Sequence, residues 1–265
     1  MILIGERINA GFKDIANAIR MKDPAPVKRW AIAQTEAGAA YLDVNIGAAS
    51  RDPQDMAWLV RTIQNTVSTR LSIDSTNVEV IEAGLDAIDE RGVLINSTTA
   101  DAGKLDQLIP LAVKHNAMLL GLAMDDRGSP QDVDRRVENG ATVFMAAVEA
   151  GIPPDRIILD PILMPIKFMQ EQVPHVLETI EQFTHLSDPS PHISVGVSNV
   201  GTKAAEKGRI IRTFLVMAMA KGLDTVICNV CDDELIAAVA TAELMLNREI
   251  YTDSYIRAFL MRQAV

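Results

Sequence analysis

Asp43, Asp74, Asn96, Asp160 and Asn199 share a placement. Each lies at or near the end of a short aliphatic, β-branched run, where a loop must begin. Glu6, Asn9 and Asn45 stand in similar positions. The set consists of carboxylates and carboxamides, with almost no His, Cys or Lys. A carboxylate accepts two parallel N–H bonds, and an amide both donates and accepts along one edge. Such a ring suits a flat heterocycle with adjacent N–H donors and carbonyl acceptors, the pattern of an aminopyrimidinone. A single Asp or Asn after a strand is commonly only a turn or cap residue. Thr76 and Asp101 read that way. The turn explanation weakens when such residues end most of the runs.

Elements must bring these side chains together. Strands are expected at residues 2–4, 41–46, 70–74, 93–96, 118–124, 156–160, 193–199 and 224–230. Each run is short and apolar enough to be buried on both faces, as in a parallel sheet. Helices are expected between them, over about 26–37, 52–67, 101–115, 133–150, 173–183 and 212–221. Asp52 before Pro53 marks a capped helix start. Residues 76–79 fit a capping box, followed by the stripe Val78, Ile81, Leu85 and Ile88. Leu235, Val239, Ala242 and Leu246 mark a further helix, and another is expected from about Thr252. Residues 201–208 read as a mobile basic loop with Lys203 and Lys207, and Arg209 just after it. Strand then helix, eight times over, predicts a single-domain (β/α)8 TIM barrel spanning 1–265, at a length close to the ~250 residues typical of that fold. Parallel strands in a barrel deliver their C-terminal ends to one mouth. A doubly wound sheet competes, but residues 5–11 lack the G-x-G-x-x-G spacing.

The net charge of −10 and pI near 4.9 argue against a nucleic-acid surface or an anionic membrane surface. No apolar run approaches the ~20 residues of a membrane span, and the start is too short for a signal h-region. A cytoplasmic protein is expected. The two cysteines, Cys228 and Cys231, form a C-x-x-C, too few ligands for a structural zinc. They are expected to be buried, inert thiols. His115, His175, His185 and His192 offer no ligand cluster, so no metal site is expected.

A reduced pterin presents the hydrogen-bonding edge that the acids and amides suit. The chain resembles the pterin-dependent methyltransferases, which move a methyl group between tetrahydrofolate and a corrinoid protein. The likeness is strongest to the methyltetrahydrofolate:corrinoid iron-sulfur protein methyltransferases. It covers essentially the whole chain. Its specific pieces are residues 4–9, 23–26, 42–45, 73–77, 95–98, 160–161, 196–200 and 212–220. The resemblance implies a (β/α)8 homodimer with the pterin ring on Asp74, Asn96 and Asp160. It implies that Gly196 and Ser198 line the pocket and that Asn199 is the catalytic residue, at the methyl-bearing nitrogen. Lys203 and Lys207 are implied as folate-tail or loop contacts, Lys207 standing where the family pattern has Arg. Methyltetrahydrofolate or tetrahydrofolate would be the substrate. The chain lacks the D-x-H-x-x-G corrinoid signature, so the corrinoid (cobalamin) would arrive on a partner, such as a corrinoid iron-sulfur protein. Two readings compete at this point. One is a dihydropteroate synthase-like enzyme, although residues 9–12 lack that family's Asn-x-Thr-Pro-Asp-Ser-Phe loop. The other is a pterin-binding protein without turnover.

Overall fold

The computed structural model describes residues 1–89 and 91–252. Eight strands are present among them: β1 (Ile2–Asn9), β2 (Tyr41–Asn45), β3 (Arg70–Asp74), β4 (Val93–Thr99), β5 (Met118–Leu122), β6 (Ile157–Asp160), β7 (His192–Ile193) and β8 (Thr225–Cys228). All pair in parallel, in the order β7-β6-β5-β4-β3-β2-β1-β8. The ring closes just past β7, where Gly196 bridges Ile227 and the Ile227 N–H donates to the Val195 carbonyl at 3.0 Å. The architecture is the (β/α)8 barrel that the alternation predicts.

The helices among the described residues are α1 (Lys13–Met21), α2 (Pro24–Glu36), α3 (Pro53–Gln64), α4 (Val78–Asp86), α5 (Ala102–Lys114), α6 (Val133–Glu149), α7 (Gln172–Phe183), α8 (Lys207–Ala220) and α9 (Asp233–Met245). Short acidic side chains start many of them. Asp23, Asp52, Asp101, Asp132 and Asp232 each accept a backbone N–H of the first turn.

Several expectations need correction. The cap of α4 is Asn77, which accepts the Glu79 N–H at 3.0 Å; Thr76 lies one residue too early. β1 runs on to Asn9, so residues 6–9 belong to the strand and do not follow it. α1 was not anticipated. Its Ile15, Ala18 and Ile19 bury one face at helical spacing, but its N-cap is Phe12, which makes no side-chain cap. Arg156 lies in a short 3-10 turn before β6. The basic loop is shorter than expected, because α8 already begins at Lys207. The helix expected from about Thr252 falls almost wholly outside the described residues.

The barrel interior explains how the site is positioned. Side chains alternate along a strand with period two. Ile4, Tyr41, Leu94, Leu120 and Ile158 form a small apolar cluster separate from the main core between strands and helices. Two residues further along the same faces come Glu6, Asp43, Asn96, Leu122 and Asp160. The register aligns Asn45 with Asp74, and Asp74 with Asn96. The interior is therefore apolar toward the strand starts and mostly polar toward the strand ends. No helix among the described residues is long and apolar enough to cross a membrane.

Candidate active site

The polar layer is joined by direct hydrogen bonds across β2, β3 and β4. Asp43 accepts on one oxygen from the Ser72 hydroxyl at 2.7 Å and from the Asn96 Nδ2 at 3.0 Å. Asn45 donates through Nδ2 to Asp74 at 2.7 Å, while its Oδ1 accepts the Gly47 N–H at 2.7 Å. One end of Asn45 thus closes a turn and the other end holds the acid. Asp43 is 3% exposed and Asn96 7%, so each polar group needs a partner within the protein. Asp74 is half-buried beside them.

Burial sets the electrostatics. It pushes the Asp43 carboxyl well above its usual range, and the charge of Asp74 pushes it further; the bonds from Ser72 and Asn96 offset part of this. Asp74 is also raised by burial, with hydrogen bonds from Asn45 and Asp43 opposing. Two acids this close cannot both ionise readily in a low-dielectric interior.

Asp160 stands across the barrel, 6% exposed. Its Oδ1 accepts the Ile162 N–H at 2.7 Å, and the Gly196 backbone N–H also favours the ionised form. Burial nevertheless raises it to about 7, against those two N–H groups and the charge of Arg136. Arg136, on α6, is fully buried. Its Nη1 donates to the carbonyls of Pro161 and Ile162. Ile162 has φ 65°, a left-handed conformation that a β-branched residue rarely adopts. The Arg136 clamp holds the turn whose N–H supports Asp160. Nothing in the sequence pattern distinguishes Arg136 from the other charged residues of α6.

Asn199 lies in a 3-10 turn (Val197–Asn199) just past β7 and is exposed. A Cβ built on Gly196 would come within 3.2 Å of its Nδ2, so the amide lies against Gly196. Ser198 donates to Glu6 on β1 at 2.8 Å, bridging the first and last parts of the barrel. Glu6 is raised by burial, with Ser198 and Lys207 opposing.

Other anticipated residues stand apart. Asn9 accepts the Gly11 N–H at 2.8 Å and closes a turn. Lys203 lies 5.9 Å from the centre of the Phe168 ring. Cys228 is buried, but Cys231, beyond the strand end, is exposed, so the expectation of two buried thiols fails at Cys231.

A cleft of about 520 Å³ opens beside the ends of β1 and β8, lined by Glu6, Arg7, Trp30, Ser198, Lys207 and Cys231 among others. Lys207, from the first turn of α8, faces this cleft. The Arg7 guanidinium lies 3.9 Å from the centre of the Phe12 ring and 4.2 Å from that of Trp30, and donates to Asp14 at 2.8 Å. Arg7 lies within the distinctive segment 4–9, but neither it nor Phe12 or Trp30 is among the site residues expected from the sequence.

The chain is 28% identical over 262 residues to a methylcorrinoid:tetrahydrofolate methyltransferase of Eubacterium limosum, covering 98% of this chain and 96% of that one. It is 27% identical over 242 residues to methionine synthase of Mycobacterium tuberculosis; that match takes in 86% of this chain but only 20% of the longer protein. Among solved structures, the dihydropteroate synthase of Yersinia pestis with a pterine-sulfa conjugate has a TM-score of 0.64 at 17% identity, covering 93% of this chain and 94% of that one. Dihydropteroate synthase of Xanthomonas albilineans in complex with 7,8-dihydropteroate gives 0.62 at 16%, with coverage of 93% and 92%. At these identities the structures speak for the fold alone. The sequence pattern of the pterin binding enzymes matches residues 5–229, and the chain belongs to the pterin binding enzyme family.

Proposed function

We propose that this protein is a methyltransferase that moves a methyl group between methyltetrahydrofolate and the cobalt of a corrinoid held on a separate protein. We infer that residues 1–265 act as one pterin-binding domain, in a cytoplasmic homodimer. The observation that carries the reading is the match to a methylcorrinoid:tetrahydrofolate methyltransferase along nearly the whole of both chains. The polar layer supports it. Asp74, Asn96 and Asp160 converge on the mouth from three strands, and all three can accept hydrogen bonds from the N–H edge of a pterin. Lys207, in the adjoining cleft, suits the anionic folate tail, though as a point charge without the fork of an arginine.

Transfer changes the protonation of the methyl-bearing nitrogen. With methyltetrahydrofolate as donor, the C–N bonding pair stays on nitrogen and the methyl goes to cobalt(I), giving methylcobalt(III). The nitrogen is a poor leaving group unless it gains a proton. In the reverse direction its lone pair takes the methyl from methylcobalt, cobalt(I) keeps the bonding pair, and the nitrogen loses its proton. The amide of Asn199 fits both states, since it accepts from an N–H and donates to a lone pair. Gly196 leaves room for that amide. The proton itself comes from water in this reading.

The test is spectroscopic. Mixing the protein with methyltetrahydrofolate and a cobalt(I) corrinoid should yield the methylcobalt spectrum, and methylcobalt with tetrahydrofolate should reverse it. Pterin binding with no change at cobalt in either direction would reject transfer in favour of a binding protein.

A further inference from the structure

We propose that Asp43 is a positioning residue that fixes the carboxamide of Asn96, so that the pterin site meets its guest with a hydrogen-bond acceptor at that position. This rests on the pterin reading of the same site. Asp43 sits one layer below the mouth: it is registered with Ser72, while Asn45 is registered with Asp74 and Asp74 with Asn96. An amide has one donating end and one accepting end. The Nδ2 end of Asn96 is used on Asp43 at 3.0 Å, which leaves Oδ1 for a guest. Asp74 on the adjoining strand and Asp160 across the barrel are acceptors as well when ionised. With those two carboxyls ionised, the three together select a ligand edge made of N–H donors over one that presents carbonyls there.

Asp43 can hold Asn96 this way without carrying a charge. Its bonds to Ser72 and Asn96 fall on a single oxygen, Oδ1. The titratable group facing it is Asp74, on β3; Ser72 and Asn96 are neutral. Burial and the charge of Asp74 favour the neutral form of Asp43, and an acceptor oxygen is all that Ser72 and Asn96 require of it. An asparagine at position 43 offers the same two ends, an accepting oxygen and a donating group. Alanine offers neither and frees the Asn96 amide to turn.

The test compares the full-length wild type, Asp43→Asn and Asp43→Ala. Tetrahydrofolate affinity is measured from about pH 6 to 9, with a melting curve for each variant and kcat and KM in the transfer assay. Asp43→Ala should weaken tetrahydrofolate binding about tenfold or more, with kcat less affected than KM. Asp43→Asn should restore affinity to within about threefold of wild type and leave its pH dependence unchanged. A folded Asp43→Ala protein with wild-type affinity overturns the assignment. So does an Asp43→Asn protein weakened about tenfold, or one whose pH profile moves by about a unit, since the charge would then matter. Should Asp43→Ala fail to fold, Asp43→Asn decides alone. A wild type that binds no tetrahydrofolate is a separate result and overturns the pterin reading itself.

Discussion

Asn199 and Asp160 show how neighbouring residues at one mouth can have different roles. Asn199 is exposed on a turn, as the proposed response to a changing ligand atom requires; Asp160 is buried and held by the Ile162 N–H. Asn199→Ala should leave pterin affinity within a few-fold while methyl transfer falls roughly 100- to 1000-fold, the cost of one hydrogen bond in a preorganised site. Steady-state transfer rates beside equilibrium pterin titrations check this, and unchanged turnover would reject the role. Asp160 carries a stability signature. Its carboxyl titrates near 7 when folded, above the ordinary 3.8. Between those values the native state holds a proton that the unfolded chain has released, so stability falls as pH rises through the window, by up to roughly 4 kcal/mol. Asp160→Asn should therefore melt higher than wild type at pH above about 7, with the gain fading toward pH 4. A lower melting temperature for the variant at alkaline pH would contradict it. Asp74, Asn96 and Asp160 were legible in the sequence because each ends an aliphatic run. Arg136 and the Arg7–Trp30 stack were not, because their partners are backbone carbonyls and rings from elements distant in the sequence.

At the scale of elements, close approach between helices and strands sets the geometry. Gly140 on α6 faces Phe183 on α7, and a Cβ there would come within 2.4 Å of the ring. The ring is fully buried and has little room to move. Gly140→Ala should destabilise the fold by about 1–3 kcal/mol through overpacking, read from thermal or urea melts. Equal stability would mean that α6 and α7 can separate freely. Gly196→Ala is a contrasting case. Its Cβ would meet the Asn199 amide at 3.2 Å, with no change in backbone demand. Transfer activity should drop by about tenfold or more with little loss of stability, since the site and not the core absorbs the clash. The strands, and the helices with Asp caps, were visible from local chemistry. α1 was not, because its start carries no capping side chain. The start of α8 was also missed, because Lys203, Lys207 and Arg209 read as a solvated basic run when only composition is considered.

At the scale of the molecule, the barrel is a gradient from an apolar lower interior to a polar mouth. The alternation of strand and helix made the fold readable without any single decisive motif. That the strand ends share one mouth follows from the parallel barrel, but the pairing of Asn45 with Asp74 and of Asp43 with Ser72 depends on register, which a sequence does not display. The protein's net charge of −10 leaves Lys207 and Arg7 as local exceptions near the mouth. The most direct test is a crystal structure grown with tetrahydrofolate. The pterin ring should lie at the strand ends, its N–H edge within hydrogen-bond distance of Asp74, Asn96 and Asp160, with the Asn199 amide at the nitrogen that carries the methyl group. A ring bound elsewhere, or one turning carbonyls toward those three residues, would contradict it.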